Sequence, residues 1–98
     1  MQFSKHQSRL WRKMIGSIAD FRSGKITFFD LVSELEGALY AGEFKDEDLI
    51  KKWYDFWTPL EILNATKGNS VTLEDADKYL LQMELFLERK CFFNKHDL

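Results

Sequence analysis

His6, His96 and Cys91 are the side chains best suited to nucleophilic or metal chemistry, since an imidazole can move a proton near neutrality and a thiolate attacks carbon and ligates metals. Their spacing does not assemble them. His6 and His96 lie near opposite ends of the chain, and no H-E-x-x-H, C-x-x-C or comparable ligand spacing accompanies them. Cys91, between Lys90 and Phe92, has no second cysteine to bridge to, and a lone cysteine usually packs as a small hydrophobe. Carboxylates are plentiful enough to supply a hydrolytic pair, with 16 Asp and Glu. Most of them, however, fall at helix starts or on polar helix faces, where capping and solubility account for them. No phosphate-binding loop, G-x-G-x-x-G or G-x-S-x-G elbow occurs, and Gly16-Ser17 sits inside an apolar helical pattern. The expectation is a protein that is not an enzyme and carries no cofactor and no metal.

Four helical segments must position whatever the chain presents. Phe3, Gln7, Leu10, Trp11, Met14, Ile18 and Phe21 share one side of a helix over about residues 4 to 22, with Lys5, Arg9, Arg12 and Lys13 opposite and Ser23-Gly24 as the stop. Thr27 and Asp30 form a T-x-x-D start for a second helix. Its apolar side is Phe28, Leu31, Val32, Leu35, Ala38 and Leu39, and Gly42 ends it. Lys45-Asp46-Glu47-Asp48 opens a third, with acids at the positive end of its dipole. Leu49, Trp53, Phe56, Leu60 and Leu63 mark its core face, and Pro59 predicts a break or kink near Trp57 and Thr58. After the loop at 67–70, Thr72 and Asp75 repeat the start signal for a fourth helix reaching about Lys90. Residues 93–98 have no clear pattern and are expected to be irregular.

No segment keeps the period-2 alternation of a strand, so the expected fold is all-α: a compact antiparallel bundle of about four helices. At 98 residues it should be one domain spanning 1–98. No apolar run approaches the roughly 20 residues of a membrane span, and the N-terminal stretch lacks the apolar core of a secretory signal. No membrane association and a cytoplasmic location are expected. The fourth helix carries Leu81 and Leu85 off its main stripe, which marks them as a candidate homodimer seam.

Charge is unevenly placed within a net of -2. Residues 1–25 hold six Lys or Arg against one Asp, and residues 26–66 hold three against nine Asp or Glu. Lys5, Arg9 and Arg12 could follow successive phosphates, but so few cations in an acidic molecule fit a solvated face paired with carboxylates of the second or third helix better, and nucleic acid is not the expected partner. The acidic middle is the candidate partner-binding surface: Asp30, Glu34, Glu43, Asp46, Glu47, Asp48 and Asp55 beside Tyr40, Phe44 and Tyr54. Such a field would capture a partner with a basic cleft, with the aromatics as anchors. The plainer alternative is a solvated surface of dipole-complementing acids.

The run from Asp20 through Ser23-Gly24-Lys25-Ile26-Thr27 to Leu35-Glu36-Gly37 resembles small helical bacterial immunity proteins of toxin/immunity systems, including those of contact-dependent growth inhibition, over about residues 14–66. In size and acidity the chain is also similar to colicin nuclease immunity proteins, although it lacks their tyrosine-pair segment ending in proline, so no binding residue transfers from them. The resemblance implies a non-enzymatic inhibitor of a cognate protein toxin, a nuclease suiting an acidic surface, that occludes the active site or an adjacent exosite. The alternative is a small homodimeric regulatory or adaptor domain that uses its first helix for nucleic acid.

Overall fold

The computed structural model describes residues 3–95, with side chains as far as Cys91. Four helices follow in order: α1 (Lys5–Arg22), α2 (Phe28–Gly42), α3 (Glu47–Lys67) and α4 (Leu73–Lys95), with a short 3-10 turn, Gly68–Ser70, before the last. Among the described residues there is no strand, and the fold is an all-α bundle.

Each helix begins where a side chain can take up its free N–H groups. Ser4 and Gln7 make a reciprocal capping box at α1, and Thr72 and Asp75 make another at α4, with both bonds at 3.1 Å. Thr27 Oγ1 accepts from the Asp30 N–H, and Asp46 Oδ1 accepts from the Leu49 N–H. The end of α1 is closed by Gly24 at φ 81, with the Lys25 N–H returning to the Asp20 carbonyl at 2.8 Å. The last carbonyls of α2 are covered from outside: Gln7 Nε2 donates to Gly42 at 3.0 Å, and His6 Nε2 lies 3.1 Å from the Ala41 oxygen.

Sequential helices pack side by side, and α4 closes the ring against α1, while the diagonal pairs α1–α3 and α2–α4 make no close backbone approach. Paired contacts run in opposite directions along each neighbouring pair and make all four antiparallel: Gln7–Gly42 and Ser17–Glu34, Trp57–Val32 and Tyr54–Glu36, Phe56–Phe86 and Lys67–Asp75, and Trp11–Leu87 and Arg22–Asp77. The core holds Trp11, Met14, Ile18, Phe28, Leu31, Leu35, Trp53, Leu60, Leu80, Met83 and Leu87, all essentially inaccessible. A buried indole N–H needs an acceptor, because desolvating it unpaired costs about 1–3 kcal/mol. All three tryptophans find one on another helix. Trp11 donates to the Leu87 carbonyl at 2.8 Å, Trp57 to the Val32 carbonyl at 3.1 Å, and Trp53 to Met14 Sδ at 3.3 Å across the α1–α3 diagonal. At the rim of the α1–α4 contact, Arg22 grips Asp77 at 2.6 Å and Glu84 at 2.7 Å.

Two expectations are corrected. Of the break or kink expected near Trp57 and Thr58, the break is absent: the third helix runs on through Pro59. The carbonyl that loses its partner to the ring is that of Asp55, an exposed residue where water can replace the bond, while buried Trp53, Trp57 and Leu60 hold the helix on both sides. The fourth helix continues past Lys90 to Lys95, so 93–95 are helical rather than irregular, there being no Gly or Pro to stop them. Residues 96–98, including His96, lie outside the described residues. Gly42 is the last residue of α2, as expected, and Glu43 after it takes the left-handed conformation, at φ 49 and ψ 44.

Gly42 serves a different need. A Cβ there would collide with the ring of Phe44, which folds back over the end of α2. Gly42→Ala should therefore destabilise the fold by about 1–3 kcal/mol through overpacking. Gly37→Ala, at an exposed site on the same helix whose added methyl meets nothing within 4 Å, should stabilise it by about 0.5–1 kcal/mol. Urea unfolding midpoints of the two variants, moving in opposite directions, check this.

Candidate functional site

Where α2 ends and α3 begins, the turn of residues 43–46 leaves a groove between the two helices. Leu39, Tyr40, Glu43, Phe44, Ile50 and Tyr54 line it, around a volume of about 310 Å³. On α2 the spacing Glu36, Tyr40 keeps these side chains on one face, on α3 the spacing Glu47, Ile50, Tyr54 does the same, and the left-handed turn at Glu43 brings that residue to the groove from outside the helix. Apolar side chains form the floor and carboxylates the rim. Tyr40, 67% exposed, stands over it.

The hydroxyls in the groove are ordered from the core. The Tyr54 ring sits edge-on to Trp53 at 5.0 Å and to Trp57 at 5.6 Å, so its position is set by the indoles beneath it. Its hydroxyl donates to Glu36 Oε2 at 3.0 Å and stands 3.4 Å from the Tyr40 hydroxyl, from which it can accept. Burial, the bonds to Tyr40 and Glu36 and the negative charge of Glu36 push the Tyr54 pKa well above its ordinary value. Tyr54 is therefore a neutral donor at physiological pH. Glu36 retains acceptor capacity beyond this bond.

The ten acidic and aromatic residues expected to form one surface are divided by the fold. Tyr40, Glu43, Phe44 and Tyr54 meet in this groove, with exposed Glu47 on the same face and exposed Asp48 beside it in the first turn of α3. Phe44 is not the exposed anchor expected of it. It is 8% exposed, with its ring edge-on to Phe3 at 5.2 Å and Trp11 at 5.4 Å, because the left-handed Glu43 turns the chain inward after α2. Asp46 is committed to capping α3. Glu34 faces α1 and accepts from Ser17 Oγ at 3.0 Å. Asp30 lies at the other end of α2, about 20 Å from Glu43 along the axis at 1.5 Å per residue. Asp55 lines a separate groove with Thr58, Pro59, Ile62, Leu63 and Tyr79.

Glu36, Leu39 and Ile50 belong to the groove although the sequence reading did not select them. The signal was present as the i, i+4 alignment of Glu36 with Tyr40 and of Ile50 with Tyr54. The other candidates are dispersed. Cys91 is half-buried behind Phe3, Ser8, Trp11 and Arg12, and among the described residues no group of His, Cys, Asp or Glu is placed to hold a metal ion. Lys5, Arg9, Arg12 and Lys13 are exposed, and among the described residues they form no ion pair. The expected pairing with carboxylates of α2 or α3 is not present, because that face of α1 points away from its neighbours. Leu81 and Leu85 lie half-exposed on the outer side of α4. Among the described residues no helix is long and apolar enough to cross a membrane.

Comparison with protein-family models, with curated proteins and with solved structures gave no match.

The Tyr54 environment sets a pH signature. Because the folded state raises the phenol's pKa, its contribution to stability is complete below the unfolded value of 10.0 and is lost as pH rises above it. Tyr54→Phe should lower stability at neutral pH by about 0.5–1.5 kcal/mol through the lost bond to Glu36. It should also flatten the stability loss between about pH 10 and 12 relative to the parent. Urea melts at several alkaline pH values, with absorbance titration of the three tyrosines, check the pair of effects.

Proposed function

We propose that the protein is a non-enzymatic immunity protein that binds and neutralises a cognate bacterial toxin of nuclease type through the α2–α3 groove. The observation that supports this most is the composition of the groove: an apolar floor, an exposed aromatic ring, a neutral tyrosine donor and carboxylates at Glu36, Glu43 and Glu47 within one short stretch of surface. An arginine or lysine of a partner fits such a place. Its stem lies on Leu39 and Ile50, its charged head meets Glu36 and Glu43, and the face of Tyr40 contributes a cation–π contact of about 0.5–2 kcal/mol. A nuclease must carry such cations to hold phosphates, so an inhibitor presenting carboxylates at matching positions competes with the nucleic acid itself.

Glu43 adds a second line of support. A non-glycine residue in the left-handed region costs about 1 kcal/mol or more, and a helix end of this kind is ordinarily served by glycine. Retaining a glutamate there gives up stability for a carboxylate on the rim. Glu43→Gly should therefore raise stability by about 1 kcal/mol while slowing association with the toxin, two effects of opposite benefit that a purely structural role would not produce together.

The test is protection. Co-expression of the chain with the C-terminal domain of the toxin encoded beside its gene should restore growth, and purified proteins should associate faster at low salt. Joint reversal of Glu43, Glu47 and Asp48 to lysine should slow association about 10-fold or more while leaving helicity intact. Association unchanged at low salt by that triple variant would remove this surface from the proposal, and absence of protection would remove the proposal itself.

A further inference from the structure

The outer face of α4 carries a regular pattern of which the monomer engages Lys78, whose ammonium lies 5.1 Å from the centre of the Tyr79 ring. Glu74, Lys78, Leu81, Leu85 and Glu88 are spaced by four, three, four and three residues, the repeat that keeps side chains in one seam along a helix. All five are exposed, Leu81 at 50% and Leu85 at 54%. The seam lies opposite the core stripe of Ala76, Leu80, Met83 and Leu87, so it is not an extension of the hydrophobic interior.

We infer that this seam pairs with the same seam of a second copy, the two α4 helices running antiparallel about a two-fold axis level with Met83. The charges select both the occupant and its direction. In that register Leu81 lies opposite the partner's Leu85, and Lys78 lies opposite the partner's Glu88, so each pair occurs twice by symmetry. A parallel arrangement would instead set Lys78 against the partner's Lys78 and Glu88 against the partner's Glu88. Beside the axis the flanking residues are Gln82, which is uncharged, and Glu84, whose charge is taken up by Arg22 at 2.7 Å. No like charges are left to oppose each other at the centre. Because α2 and α4 lie on a diagonal of the bundle, pairing through α4 leaves the α2–α3 groove open on each copy.

A contact made by one helix from each copy falls below the roughly 1,200 Å² of a standard interface, so the dimer should be weak, with a Kd in the micromolar range or above. Sedimentation equilibrium of the full chain between about 10 µM and 1 mM should show the average mass rising from 11.6 kDa toward twice that value. Lys78→Glu and Glu88→Lys should each weaken association about 3-fold to 10-fold, and the double exchange, which restores opposite charges in the same register, should recover it. These positions are exposed, and circular dichroism confirms that the variants fold. In a Cys91→Ser background, Leu81→Cys mixed with Leu85→Cys should oxidise to a cross-linked dimer faster than either variant alone, because the antiparallel register sets 81 against 85. A chain that stays at 11.6 kDa up to about 1 mM overturns the inference. So does a double exchange no tighter than the single variants, or faster cross-linking within one cysteine variant.

Discussion

The bundle depends on giving three buried indoles a hydrogen-bond acceptor. Trp11, Trp53 and Trp57 contribute the largest share of apolar surface per residue in the core, yet each carries an N–H that cannot be left unpaired without forfeiting much of that gain. Each is satisfied by a different helix: α4 for Trp11, α1 for Trp53 and α2 for Trp57. Two neighbouring pairs and one diagonal are thereby fixed in both rotation and height, since a helix that slides by one turn, about 5.4 Å, loses its acceptor. Leucine packing alone tolerates such slippage more readily, because dispersion contacts have no direction.

This bracing reaches the surface through Tyr54. Its ring rests against two of the indoles, and its hydroxyl in turn orders Glu36. The Tyr54–Glu36 side of the groove is therefore ordered by the packed tryptophans beneath it, which lowers the entropy lost when a partner binds. The turn that forms the other wall is held differently. Phe44 folds onto Phe3 and Trp11, Gly42 makes room for its ring, and Glu43 accepts the left-handed backbone that this path requires. The close approach at Gly42 and the left-handed backbone at residue 43 have the same cause, the path that seats Phe44 on the core.

The starts of α2 and α4 were legible from the Thr27 and Thr72 signals, because an N-cap is a local interaction between residues two or three apart, and the start of α3 from its run of acids at the positive end of the dipole. The core stripes were largely legible for the same reason, periodicity belonging to one helix at a time, although on α3 Trp57 is buried while Phe56 and Leu63 are only partly so. What the sequence did not disclose depends on neighbours. Phe44 reads as exposed because it follows a polar turn, and only the path of that turn over Trp11 buries it. Pro59 reads as a break because its local cost is real, while the burial of Trp53, Trp57 and Leu60 around it is a tertiary property. The acidic residues read as one surface because they are close in sequence. Their angular positions on α2 and α3 point Glu34 toward α1 and Asp55 toward α4, and that division follows from helical geometry once the packing partners are known.

The α2–α3 groove and the α4 seam also differ in what they ask of the rest of the protein. The groove needs the tryptophan frame, since its ordered hydroxyls and its floor are the outer surface of that frame. The seam needs only that α4 be a helix with its core side turned inward, which the Thr72–Asp75 box and the Arg22 clamp secure at the end nearest α1's C-terminus. Substitutions on one surface are therefore expected to be nearly additive with those on the other, because the two share no side chain and lie across the diagonal of the bundle. A fold of this size can present two independent surfaces because its interior demands are met by residues that face neither of them.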